Sequence, residues 1–191
     1  MTVAQVFAEI HRNNLWREPE TVSGGGSTLE FTKRLRVMLP KIIRQFGIGS
    51  LLDAGCGDWH WMSRLKLDIQ VIGVDIVSEL IAQNQARYGG DFRVMDIIHD
   101  ELPKTDAILC RATLFHLSNA HVAAALENFR RSGAGWLIAT THPRIAENVD
   151  IRDGDWRRLN LQIYPFFLPE PEFIKPDGPG DDGCLAVWRL T

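Results

Sequence analysis

Five short apolar runs from residue 48 onward, each closed by a turn or a charged residue, fix most of what this chain can fold into. They are "GSLLDAG", "DIQVIGVDI", "DFRVMDI", "TDAILC" and "GWLIATT". Runs of this length suit strands buried on both faces. Helical patterns lie among them, at about 58–66, 78–88 and 119–132, the last starting at Ser118 or Asn119 and stopping at Gly133. That alternation predicts an open, mostly parallel α/β sheet with helices on both faces.

Beyond Pro143 the pattern changes, and little room is left for a helix after the fifth strand. "LNLQIYPF" and "CLAVWRL" read as two more strands, an antiparallel pair joined by a loop rich in Pro, Gly and Asp. At the other end, Val3, Val6, Phe7 and Ile10 fall at helical spacing in a segment that ends near Asn14. A glycine-rich joint, "TVSGGGSTLEF", follows, and its Ser27 and Glu30 match a capping box. The helix it opens carries Phe31, Leu35, Met38, Ile42 and Phe46 on one side, with Pro40 expected to kink or divide it. Residues 1–47 therefore read as a helical N-terminal extension or lid, and 48–191 as the α/β part of what is structurally one domain.

Composition narrows the function. The net charge is −3, from 21 Lys plus Arg against 24 Asp plus Glu. A weakly acidic chain lacks the broad positive field that duplex or tRNA binding needs, which argues against a nucleic-acid partner. The basic clusters "KRLR" and "FRR" read as solvated helix faces. Cys56, Cys110 and Cys184 are odd in number and widely spaced, with no zinc or disulfide pattern. The N-terminus does not read as a signal peptide or a membrane span, so the expected location is the cytoplasm.

Most chemical information sits in "LLDAGCGDWHWM", residues 51–62. A strand that runs into Asp53-Ala54-Gly55-Cys56-Gly57 must turn sharply, and the glycines allow positive φ and close approach of a ligand. In an open parallel sheet this turn sits at the ligand crevice. A second acid, Asp75, ends the next run 20 positions after Gly55, where a carboxylate binds the two hydroxyls of a ribose. NAD and S-adenosylmethionine both satisfy these features. The third glycine of a dinucleotide fingerprint is replaced by His60, between Trp59 and Trp61, and Asp53 and Asp58 repel phosphate while suiting an ammonium. That set argues against a dinucleotide.

"LLDAGCGDWHWM" resembles motif I of the class I S-adenosylmethionine-dependent methyltransferases, with its D/E-x-G-x-G core at Asp53, Gly55 and Gly57. "VIGVDIVSELI" resembles the second motif, which implies ribose binding by Asp75 and adenine packing by Ile76. "FRVMDI" resembles the third, implying that Asp96 faces the adenine amino group and Ile97 packs on the ring. "TDAILCRATLFHLSN" resembles the fourth strand and loop, with Cys110 and Arg111 bordering the methionine part. The match runs over about 48–141 and implies a Rossmann-like, doubly wound, seven-stranded sheet. Ala54, Cys56 and Trp59 join the cofactor residues by position. "GGGSTLEFTKRL", "CGDWHWM", "CRATLFHLS" and "RLNLQIYPF" together resemble a group of small bacterial methyltransferases.

Methyl transfer from a sulfonium needs alignment, plus a base when the acceptor is a hydroxyl. His116 and His142 follow the fourth and fifth strands, and each is either that base or a structural histidine. The loop "NVDIRDGDWRRLN" concentrates polar groups, and Asn148, Trp156, Arg157 and Asn160 are candidates for binding the acceptor. No cluster has metal-ligand spacing. The N-terminal helices are either a lid bringing Ser27, Thr28 or Arg34 towards the methionine carboxylate, or a fixed cover on one sheet edge. The expected activity is transfer of a methyl group to a small-molecule acceptor, at oxygen rather than nitrogen because the N/D-P-P-Y signature is replaced by Cys110-Arg111-Ala112-Thr113. RNA or protein methylation, and a non-catalytic cofactor-binding module, are the alternatives.

Overall fold

A computed structural model describes residues 1–180 and 182–190. Seven strands form one sheet: β1 (Ser50–Ala54), β2 (Gln70–Asp75), β3 (Asp91–Val94), β4 (Ala107–Cys110), β5 (Trp136–Thr141), β6 (Phe173–Pro176) and β7 (Cys184–Arg189). Their spatial order is β3-β2-β1-β4-β5-β7-β6. β1 to β5 are mutually parallel, and β7 inserts antiparallel between β5 and β6. The chain steps outward from β1 to β3 and then returns to β4 on the other side of β1, so the switch point lies between β1 and β4. Ligands of such sheets bind at that point, beyond the carboxyl ends of the strands.

Four helices accompany the sheet: α1 (Val3–Arg12), α2 (Lys33–Gln45), α3 (Ser78–Tyr88) and α4 (Asn119–Arg131). The alternating side chains of β1 divide the core. Leu52 faces a cluster completed by Val122, Ala125, Leu126 and Phe129 of α4, while Leu51 faces Leu35, Leu39, Ile42 and Ile43 of α2. α2 thus covers one face together with Trp61 and Met62 from the segment after β1. α2 is not divided by Pro40.

Three expectations are corrected. The capping box forms at Thr2 and Gln5 of α1, whereas Ser27 lies in a short turn and α2 starts only at Lys33. The segment 58–66 holds a single tight turn, Met62–Arg64, because Trp59 takes a left-handed φ of 58° that an α-helix cannot include. "LNLQIYPF" is not a strand: Leu159 and Leu161 plug the core, and the backbone N–H of Leu161 donates to the Thr141 hydroxyl. Pro165 and Pro169 offer no N–H for a ladder. The outer member of the antiparallel pair is instead β6, inside the stretch that reads as a loop.

Candidate functional site

β1 ends in the turn Ala54-Gly55-Cys56-Gly57, held by two backbone bonds, from Gly55 N and Cys56 N to the Val74 carbonyl, both 2.9 Å. Gly55 has φ 83° and its α-carbon abuts Thr113 of the β4 loop, so a side chain there meets both backbone strain and a wall. Gly57 has φ 55°, and any Cβ would fall on the Ser23 hydroxyl. The turn is therefore pressed between β4 and the N-terminal extension. Asp75, at the end of β2, accepts from Gly57 N and Val77 N at 3.0 Å each, one bond per carboxylate oxygen.

A cavity of about 980 Å³, counted out to its open mouth, lies over this turn. Asp53, Gly55, Cys56 and Gly57 form its floor; Asp75, Ile76, Asp96 and Ile97 form one wall. Arg111, Thr113, His116 and Leu117 form the opposite wall, and Val3, Phe7, Ile10 and His11 of α1 form the roof. Of the residues singled out by motif, Ala54, Trp59 and Cys110 do not line it. Trp61 lines it where Trp59 does not: Trp59 stands edge-on to Phe92, 4.9 Å between centroids, on the Gly73 side of β2. Two tryptophans one residue apart carry no sequence signal that separates these roles.

The electrostatics of the floor are unbalanced. Asp53 is 4% exposed, and burial together with the nearby Asp75 pushes its pKa up to about 7, against the pull of Arg111. Burial also raises Asp75, though its backbone hydrogen bonds work against that. A cation placed here would relieve both carboxyls. Arg111 is not a free counter-charge. Its Nε donates to Asp177 at 3.0 Å and its Nη2 to the Gly26 carbonyl at 2.8 Å, and its guanidinium lies 5.5 Å from the Trp61 ring. Burial raises the Cys56 and Cys110 thiols, so neither is a nucleophile near neutral pH.

Asp96 accepts from Ile98 N and pairs with His99 Nδ1, both at 2.8 Å. His116 stacks on Trp16, 5.0 Å between centroids, and its Nδ1 lies 2.9 Å from the Asp155 carbonyl. A carbonyl only accepts, so Nδ1 carries the proton and Nε2 is left as the acceptor. Burial lowers this imidazole's pKa to about 4, which keeps it neutral at pH 7.

The other acceptor-side candidates lie away from the cavity wall. His142 is buried, and its Nδ1 accepts from Leu159 N at 3.1 Å. Asn148 donates to the carbonyls of Asn160 and Tyr164 and accepts from Asn160 N, all at 2.8 Å. Asn160 donates to the carbonyls of Pro143 and Ile145. Arg157 donates to the carbonyls of Phe115 and Leu117 and to the Asn119 side chain. These groups stitch the loop after β5 to the fold. Trp156 is exposed, edge-on to Phe115 and His142. Of the lid candidates, Ser27 lines the cavity, while Thr28 and Arg34 do not. Among the described residues no group of His, Cys, Asp and Glu has the geometry of a metal site, and no helix is long and apolar enough to cross a membrane.

Residues 51–133 match a family model described as a methyltransferase domain. No curated protein matches the chain. Among solved structures, magnesium protoporphyrin IX methyltransferase from Synechocystis PCC 6803, with bound S-adenosylmethionine, is similar at a TM-score of 0.64 and 14% identity, over 100% of this chain and 98% of that one. N-methyltransferase NodS from Bradyrhizobium japonicum WM9, in complex with S-adenosylhomocysteine, gives 0.64 and 14%, over 94% and 97%. Human N-acetylserotonin methyltransferase, in complex with S-adenosylmethionine, gives 0.68 and 12%, over 99% and 60%. Identities this low establish the fold. The fold is that of these methyltransferases, and the stretch from β1 to the end of α4 is similar to a methyltransferase domain.

Proposed function

We propose that the protein moves the methyl group of S-adenosylmethionine to an oxygen of a small-molecule acceptor held beneath α1. The observation that carries this reading is the shared cavity: the glycine turn, Asp75 and a neutral His116 all line one space roofed by the chain's own N-terminus. A roofed cavity suits a small acceptor better than a nucleic acid or a folded protein. S-adenosylmethionine, when bound, would supply a methyl group activated by its sulfonium and leave as S-adenosylhomocysteine.

Asp75 would accept from the ribose hydroxyls. Asp96, with Ile76 and Ile97, lines the wall against which adenine packs. Asp53 faces the ammonium and cationic sulfur end, where its ionisation becomes favourable. Trp61 and Arg111 close the methionine end. His116 Nε2 takes the acceptor's proton as its oxygen bonds to carbon, the moment when that proton becomes acidic. Tryptophan stacking and the Asp155 carbonyl hold the ring in one tautomer. The weakly acidic charge and scattered cysteines suit work in the cytoplasm.

The test is calorimetric titration with S-adenosylhomocysteine and NAD, followed by turnover on a panel of hydroxyl, amine and nucleic-acid acceptors. Binding of S-adenosylhomocysteine and methylation of a hydroxyl compound, lost in His116→Phe, support the reading. Methyl transfer only to nucleic acid or protein, or binding with no turnover on any acceptor, replaces it by the corresponding alternative.

A further inference from the structure

One polar atom on the cavity roof has no partner within the protein. His11 sits in the last turn of α1 and lines the cavity, and its Nδ1 is buried without a hydrogen bond. His11 and Asp75 line the same cavity. A buried ring nitrogen left unpaired is a cost to the fold unless a ligand satisfies it.

α1 is fastened over this end of the cavity from two directions. On one side the Arg12 guanidinium lies 3.3 Å from Glu79, in the first turn of α3 and just beyond the Asp75-Ile76-Val77 wall. On the other, Val6 and Ile10 press on Gly154 of the loop after β5, where a Cβ would stand 2.5 Å from Val6 Cγ1. The helix cannot slide far in either direction without losing one of these contacts. His11 is thus presented towards the stretch of wall that carries Asp75.

We propose that His11 is a cofactor-binding residue, its Nδ1 accepting a hydrogen bond from a ribose hydroxyl of the nucleoside whose other contacts come from Asp75. The two carboxylate oxygens already hold the backbone N–H groups of Gly57 and Val77; the His11 nitrogen adds a further acceptor on the roof. The ribose is then gripped from below by β2 and from above by α1, and the N-terminal helix belongs to the cofactor site as well as covering the acceptor. This rests on the S-adenosylmethionine reading of the cavity.

The experiment compares wild type, His11→Phe and His11→Asn by calorimetry, using S-adenosylhomocysteine and its 2′-deoxy and 3′-deoxy analogues. Phe keeps the ring and removes the acceptor; Asn restores a polar atom near the Nδ1 position. The expected result is about tenfold weaker S-adenosylhomocysteine binding by His11→Phe, as for loss of one hydrogen bond. His11→Asn should recover most of it. One deoxy analogue should bind wild type and His11→Phe alike, which names the hydroxyl. Without ligand, His11→Phe should melt no lower than wild type, since it removes an unpaired nitrogen; a simple packing role predicts the opposite. Equal loss for all three ligands, or no loss for any, overturns the proposal while leaving the cofactor reading intact. Failure of wild type to bind S-adenosylhomocysteine overturns both.

Discussion

Two sets of buried polar side chains flank the carboxyl edge of this sheet, and they differ in how completely their bonding capacity is used. Beyond β5, Asn148 and Asn160 spend donors and acceptors on one another's backbone and on nearby carbonyls. At the switch point, Asp53 and Asp75 line the cavity with their pKa values raised by burial, and His11 Nδ1 has no partner. Groups bonded within the fold hold it together, whereas unsaturated groups lining a cavity are open to a ligand. Both sets look equally polar in a sequence.

The largest effect should come from the saturated side. Asn148→Ala removes three buried hydrogen bonds and strands two carbonyls and one N–H. It should lower stability by about 2–4 kcal/mol, read by denaturant unfolding. Folded molecules of that variant should bind S-adenosylhomocysteine as wild type does. Strong loss of methyl transfer by a fully folded Asn148→Ala protein would make Asn148 an acceptor contact and erase the distinction.

Asp75→Ala belongs to the other class. It should weaken S-adenosylhomocysteine binding by about 1–3 kcal/mol through lost charged hydrogen bonds, by titration calorimetry. Unchanged affinity would remove Asp75 from the site.

A smaller effect, and one with a sign, comes from Asp53. Its pKa of about 7 reflects burial first and the Asp75 charge second. A cationic ligand favours the ionised carboxyl, so binding below pH 7 must expel a proton. Affinity for S-adenosylmethionine should therefore rise between pH 6 and pH 8, by at most about tenfold per unit below the pKa, and level off above it. Asp53→Asn should flatten this profile. A wild-type profile that falls with pH, or an unaltered one in the variant, contradicts the assignment.

The same distinction explains what could be read from the chain before its structure. The strands β1, β2, β4 and β5 were legible because burial on both faces demands unbroken apolar runs, and the site acids because they end those runs. The segment around Leu159 and Leu161 misleads because a core plug and a strand use the same residues; only the prolines and the Thr141 bond reveal the difference. The loop around Arg157 misleads because sequence records a guanidinium and not that it binds the carbonyls of Phe115 and Leu117 and the Asn119 side chain. His11 carries no motif at all, and only an atom left over after folding points to it.

The smallest predicted effect concerns His60, which occupies the place of a fingerprint glycine. Its Nε2 lies 2.9 Å from Glu20, whose other bond comes from Leu29 N, and the adjacent Asp58 accepts from Thr21 and Ser23 hydroxyls. The motif I turn therefore anchors residues 20–29, the joint between the roof and α2. A glycine at 60 would remove one anchor of that joint while the bonds of Asp58 to Thr21 and Ser23 remain. Because the pair is partly solvated, His60→Gly should weaken S-adenosylhomocysteine binding by less than about tenfold. The sensitive readout is amide exchange, which should quicken across residues 20–29 and stay unchanged in β4 and β5. Uniform acceleration across the sheet would mean that the joint is part of the core and not a strap over it.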